Sequence, residues 1–254
     1  RETAARVAAG EIAHALLKHI FGSEFNVTAF TLRAAGISCE SIDYSVIEKN
    51  SMRAADLAAS EKMQQKVEDY RKKGESCGGI IECHVSGVPV GLGEPVFDKL
   101  DAELAHAMLS IGAVKGIEFG AGFESSDMTG SQMNDSMTAD NGDVQFLSNN
   151  SGGILGGISN GNKIVFRVPV KPVPSIFIKQ NTVNGEKKNF TSPAISISSG
   201  ATIHLGTTTY TVAHNTDGKK SVSASTVYYI NATISGTYIA SISASGTMTL
   251  DNIP

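Results

Sequence analysis

"NNSGGILGGISNG", residues 149–161, carries five glycines and no charged residue. Two motifs nearly fit it, and both fail. Gly156 and Gly161 have the spacing of a phosphate loop, but Asn162 stands where a lysine must reach the terminal phosphates. Gly157-Ile158-Ser159-Asn160-Gly161 matches GxSxG, whose serine works only on a sharp strand-to-helix turn. The residues that follow, "KIVFRVPV" at 163–170, alternate and are β-branched, so they predict a strand. Two readings stay open. One is a tight connection between strands, which stands ahead on the residues alone. The other is a loop whose bare backbone lets a flat or charged ligand approach.

Outward from this stretch, the N-terminal side reads as alternating helices and strands. "RETAARVAAGEIAHALLKHIF" (1–21) has helical apolar spacing and stops near Gly22. "FNVTAFTLRAAGI" (25–37) predicts a strand with a turn. "SMRAADLAASEKMQQKVEDYRKKG" (51–74) predicts an alanine-rich helix ended by Gly74. "GGIIECHVSGVPVG" (78–91) predicts a strand, "VFDKLDAELAHAMLSI" (96–111) a helix and "AVKGIEFG" (113–120) a strand. "SSDMTGSQMNDSMTADNGD" (125–143) predicts a long polar loop, and "DVQFLSN" and "NKIVFRVPVKP" predict strands flanking the glycine stretch.

The C-terminal side has a different composition. Up to Lys188 roughly one residue in five is charged; beyond it about one in sixteen, while roughly a third are Ser or Thr. Period-two alternation in "ATIHLGTTTYTVAH", "KKSVSASTVYY" and "YIASISASGTMTL" predicts strands, and "NTDG" (215–218) a hairpin turn. The domains expected are 1–186 and 187–254. The polar joint at 180–199, with Gly185 and Pro193, is expected to be protease-sensitive.

Bulk properties narrow the function classes. The 254 residues are 41% hydrophobic, enough for a core, and the net charge of −4 offers no basic footprint for nucleic acid or anionic membrane. No apolar run reaches transmembrane length. Cys39, Cys77 and Cys83 lack CxxC spacing and read as idle thiols in a reducing compartment. The six histidines have no metal-ligand spacing, and no metal is assigned. Arg1 opens the chain inside a helix, as in a fragment or trimmed protein.

The first part resembles chorismate synthase over about 185 residues. The resemblance rests on "RETAARVAAGEIA" (1–13), "SGVPVGLGEPVFDKLDAELAHAMLSIGAVKGIEFGAGF" (86–123), and "NNSGGILGGISNG" running on to "FRVPVKPVPSI" (166–176). It implies an α+β fold, a partial β-α-β sandwich followed by a small all-β module. It implies a cytoplasmic homotetramer that converts 5-enolpyruvylshikimate-3-phosphate to chorismate and phosphate with reduced FMN. It also puts Gly112, Ala113, Gly156, Lys171, Pro172, Val173, Pro174 and Ser175 at FMN contacts, and Arg1 at substrate. Lysine and backbone amides suit a flavin phosphate, and small residues suit close approach to its ring.

The family pattern opens with about 130 further residues, by a rough reading of the register. These carry a Gly-Glu-Ser-His motif, a second acid–base histidine and phosphate-holding arginines. The family's Arg-His-Asp-Pro-Cys region does not follow "PSIFIKQNTVNGE" here. From about Lys187, "HNTDGKKSVS" and "SASGTMTLDNIP" resemble a β-module of phage tail proteins. The expectation is a truncated chimera of impaired activity with no catalytic residue assigned. The alternatives are a phage-type structural or binding module with a non-catalytic passenger, or a fusion product without function.

Overall fold

Helix α1 (Glu2–Phe21) follows its apolar periodicity and ends where Gly22 takes φ 100° and donates its amide to Lys18 O. The structure, a computed structural model, describes residues 2–140 and 143–183, and beyond them the backbone of strands 189–192, 202–205, 208–211, 229–233, 237–242 and 248–252. The chain divides into two compact units, Arg1–Ile176 and Phe177–Pro254.

In the first unit β1 (Asn26–Ala34) turns through Ala35 and Gly36, both at positive φ, into β2 (Ile37–Ser38). A 3-10 segment at Tyr44–Lys49 follows, then α2 (Leu57–Lys72). The helix expected from residue 51 begins six residues later. Asp56 caps it, accepting from Ala59 N at 3.0 Å. The residues before the cap form a loop around Asn50. Its amide donates to Val46 O and Ala54 O and accepts from Ala54 N and Ser60 Oγ, all within 3.0 Å. Next come β3 (Gly79–Ser86), α3 (Leu100–Leu109) and β4 (Glu118–Phe119).

The stretch expected as a loop at 125–143 carries structure. It holds the end of a 3-10 turn (Gly122–Asp127), α4 (Gly130–Met133) and β5 (Met137–Asp140), which pairs with β6 (Asp143–Phe146). Side-chain-to-backbone bonds stitch it in place. Asp135 accepts from Asn150 N at 2.5 Å, Ser151 N at 2.9 Å and Ser148 Oγ at 2.8 Å. β7 (Ile154–Leu155), β8 (Ile158–Ser159) and β9 (Ile164–Val170) complete the unit.

One antiparallel sheet, ordered β2-β1-β3-β9-β4, organises these elements. Strand alternation gives it two unlike faces. Cys83, Ile164, Phe166 and Val168 point to one face, and Leu17 and Phe21 of α1 with Leu100, Leu104 and Met108 of α3 pack against that cluster. Phe30 points to the other face and is covered by Ile47 and Ala55. Phe30 and Met63 are fully buried; a side chain of that size contributes roughly 1.5–3 kcal/mol. Nothing in α1 is fully buried, and Val7, Ile12, Leu16 and Ile20 are 56–73% exposed.

In the second unit β10 (Gln180–Val183) pairs with β11 (Asn189–Ser192), and β12 (Thr202–Leu205) with β13 (Thr208–Thr211). β14 (Tyr229–Thr233), β15 (Thr237–Ile242) and β16 (Met248–Asn252) form a three-stranded antiparallel sheet. The 186/187 junction, the Asp217-Gly218 turn and most of the phage-like pieces lie outside the described residues.

Candidate active site

The glycine stretch is a strand connection. Ile154–Leu155 and Ile158–Ser159 pair across a two-residue corner, Gly156 (φ 59°) and Gly157 (φ 86°). Positive φ at both positions is the geometry that favours Gly-Gly in a hairpin. The corner rests on the start of α3: Leu100 N donates to Gly157 O at 2.8 Å, and a Cβ on Gly157 would meet Lys99 Cγ at 2.5 Å. Gly156 faces open space. Ser159, the serine of GxSxG, is a strap. It is 1% exposed, and its Oγ accepts from Leu92 N at 2.9 Å and donates to Pro89 O at 2.6 Å.

The far end of α3 holds the next segment. Val114 N returns to Ile111 O at 3.3 Å, closing a turn with Gly112 and Ala113 at its corner. Ala113 sits at φ 71°, the sign a type II turn requires at its third residue. The 113–120 stretch, expected as a strand, is one only at Glu118–Phe119; before that, Val114 makes a single bridge to Val170. Lys171 N donates to Ala113 O at 2.9 Å, and Lys115 N to Pro169 O at 3.0 Å. Two segments expected at flavin, 112–113 and 171–175, therefore meet.

Residues 171–175 run exposed along the surface, fixed where Ser76 Oγ donates to Val173 O at 2.6 Å. Lys171 Nζ reaches only its neighbour's carbonyl, Pro172 O, at 3.5 Å, and among the described residues no carboxylate pairs with it. Gly156 lies at the opposite end of α3, a ten-residue helix about 15 Å long. Arg1 lies outside the described residues.

Arg6 of α1 was not singled out in the sequence. Its guanidinium donates to Ser110 Oγ at 2.9 Å and Ser110 O at 3.3 Å, and Glu2 holds its other edge. It sits at the negative end of the α3 dipole, beside Gly112. The carbonyl end of α3 by itself repels phosphate, and Arg6 offsets it. What suits a phosphate-bearing planar cofactor here is the Lys171 ammonium, which has no carboxylate partner among the described residues, and the exposed small residues beside it.

A second polar group occupies the other sheet face. Glu82 on β3, Arg167 on β9 and Glu118 on β4 are register partners. Arg167 Nε lies 3.1 Å from Glu82 Oε2, and its Nη1 3.0 Å from Glu118 Oε1; Nη2 bonds Gly120 O. His84 Nε2 meets Glu82 Oε1 at 2.8 Å, and its Nδ1 is bonded to the Tyr44 hydroxyl. Lys163 Nζ lies 3.4 Å from that hydroxyl. The sequence hid this group because only strand register brings residues 44, 82–84, 118 and 163–167 together.

Compared with known proteins, residues 1–217 match the family model of chorismate synthase. The chain belongs to the chorismate synthase family. The chorismate synthase of Desulfatibacillum aliphaticivorans is 49% identical over 188 residues, covering 74% of this chain and 51% of the relative. That of Methanosarcina mazei is 52% identical over 188 residues, covering 72% and 51%. A crystal structure of a chorismate synthase superposes with a TM-score of 0.63 at 34% identity, over 68% of this chain and 56% of that one. The chain thus spans about half the length of the curated relatives it matches. The family match runs past residue 186, where the composition changes.

Proposed function

We propose that this chain takes part in chorismate synthase chemistry, the trans-1,4-elimination of phosphate from 5-enolpyruvylshikimate-3-phosphate, within a cytoplasmic homotetramer. The observation that carries the reading is the Lys171 N–Ala113 O bond, which joins two segments that the family resemblance puts at FMN. In this reading Lys171 Nζ and the amides of Val173 and Ser175 bind the cofactor's phosphate, while Pro172 and Pro174 hold the segment extended. Gly112, Ala113 and Gly156 leave room for a planar ring. Arg6, paired with Glu2, stands at the Gly112 end of α3. Held by these residues, reduced FMN would supply the electron density that loss of phosphate from the substrate requires.

The 254 residues alone are expected to turn over poorly and to bind FMN more weakly than the low micromolar range. They span half of their relatives, and no residue among them takes the acid–base roles, each worth about 10²–10⁴-fold. Residues 218–254, beyond the family match, enter as a phage-tail-like structural or binding appendage, a reading that rests on the resemblance of "SASGTMTLDNIP"; sequencing full-length transcripts across residues 180–195 tests the junction expected near Lys187.

The activity test is anaerobic phosphate release with reduced FMN, from the chain alone and from the chain supplied with the segments of the Methanosarcina mazei relative that it does not match. Turnover only with the added segments is the expected result. Turnover by the chain alone, lost on Lys171→Ala, would refute the impairment; no turnover in either arm would refute the assignment.

A further inference from the structure

The geometry points to a second reactive site: Tyr44 is a nucleophilic hydroxyl, activated by His84 and Glu82, that accepts an acyl group from small activated esters. The site is independent of the flavin segments. It lies at the Lys163 end of β9, whereas Lys171 follows the other end of that strand.

The arrangement is a hydroxyl, an imidazole and a carboxylate in hydrogen-bonded order, the constellation that activates serine nucleophiles on unrelated folds. One tautomer satisfies both bonds. Glu82 Oε1 accepts from His84 Nε2–H, which leaves the Nδ1 lone pair for the Tyr44 proton. Glu82 is the positioning residue, and Arg167 holds its second oxygen at 3.1 Å. Phe30 meets the imidazole edge-on at 5.4 Å, and the buried Val46 and Ile47 anchor the short segment that carries Tyr44. Tyr44 is 44% exposed, so an ester can reach it. Lys163 supplies a cation 3.4 Å from the hydroxyl, where negative charge develops.

In the reaction the Tyr44 oxygen forms a bond to the ester carbonyl carbon. The phenolic proton passes to His84 Nδ1. The bond from that carbon to the aryloxide breaks, and the aryloxide leaves with the electron pair.

The competing role for the Tyr44–His84 bond is a pin that holds residues 44–49 on the sheet. The two roles separate by reactivity. Tyr70 is a built-in control, because Lys66 Nζ lies 5.6 Å from its ring centroid, the same distance as Lys163 from Tyr44. The distance from cation to ring is matched; the imidazole is not, and the His84 variants separate its effect from that of Lys163 at the hydroxyl.

The full chain is exposed briefly to p-nitrophenyl acetate, and acetylation of the Tyr44 and Tyr70 peptides is followed by mass spectrometry. The expected result is acetylation of Tyr44 about 100-fold faster than of Tyr70. His84→Gln should bring Tyr44 down to the Tyr70 rate, and Glu82→Gln part of the way, with Tyr70 unchanged throughout. Equal rates at Tyr44 and Tyr70 in the unmutated chain overturn the proposal without reference to any variant. So does a His84→Gln chain whose Tyr44 keeps its full rate.

Discussion

Removing one oxygen from Ser159 tests the strap at the base of the glycine hairpin. In Ser159→Ala, Leu92 N–H and Pro89 C=O lose the Oγ that serves both at 2.9 and 2.6 Å. The site is 1% exposed, so water does not replace it. The backbone bonds Ser159 N to Leu92 O at 2.9 Å and Gly91 N to Ser159 O at 3.0 Å remain. They keep the orphaned groups from turning outward. An unpaired buried donor or acceptor costs about 1–3 kcal/mol. Two such groups, with some relaxation at Pro89, give a loss of about 2–4 kcal/mol. For a unit of this size that is a fall of roughly 5–15 °C in Tm. Urea unfolding followed by far-UV circular dichroism measures the loss, and amide exchange at Leu92 locates it. A destabilisation below about 0.5 kcal/mol with unchanged Leu92 protection would refute the strap, since that is the range of an uninvolved surface change.

Ala113→Gly should stabilise the chain by about 1 kcal/mol in the same urea assay, because an alanine at φ 71° carries a left-handed penalty that glycine lacks; a loss of stability would show that the turn is not as described. At Asp135, burial raises the carboxyl pKa, but the Ser151 and Asn150 amides and the Ser148 hydroxyl outweigh it and hold it below the ordinary value. A lowered folded pKa means stability that is present above the unfolded value and lost as pH falls through the folded one. Below about pH 4 the native chain should therefore lose more stability than Asp135→Asn; parallel pH curves would count against the stitch. Burial first, then the Glu82 charge, push the Cys83 thiol up to about 11, so Cys83 should resist thiol reagents at mildly alkaline pH until the chain is unfolded, and rapid labelling of the native protein would contradict its burial.

Periodicity made some elements legible and left others hidden. α1 and β9 repeat an apolar pattern over several turns or residues, so their extents follow from the sequence. The start of α2 was misplaced because Ser51–Ala55 are acceptable helix residues; the Asn50 and Asp56 side chains decide against helix there. The 125–143 stretch looked featureless because α4 and the β5–β6 pair are too short to show a period, and one carboxylate, Asp135, organises the link to the glycine stretch. Gly112, Ala113 and Lys171 were picked out by family register, and their meeting through Ala113 O is a tertiary fact with no local signature. The Tyr44–His84–Glu82 group was out of reach for the same reason.

Leu17 and Phe21 of α1 face the core, while Ile12, Leu16 and Ile20 form a second stripe one residue around the helix, with Val7 further along. A helix apolar on adjoining faces is built to be covered on more than one side. In colloidal terms this stripe is an attractive patch on a particle whose net charge of −4 gives weak repulsion. Two such particles meeting patch to patch screen apolar surface from water without any designed fit. The second virial coefficient of the isolated 254-residue chain should therefore be negative in ordinary buffer and become more so with added salt, as screening removes the repulsion and leaves the patch.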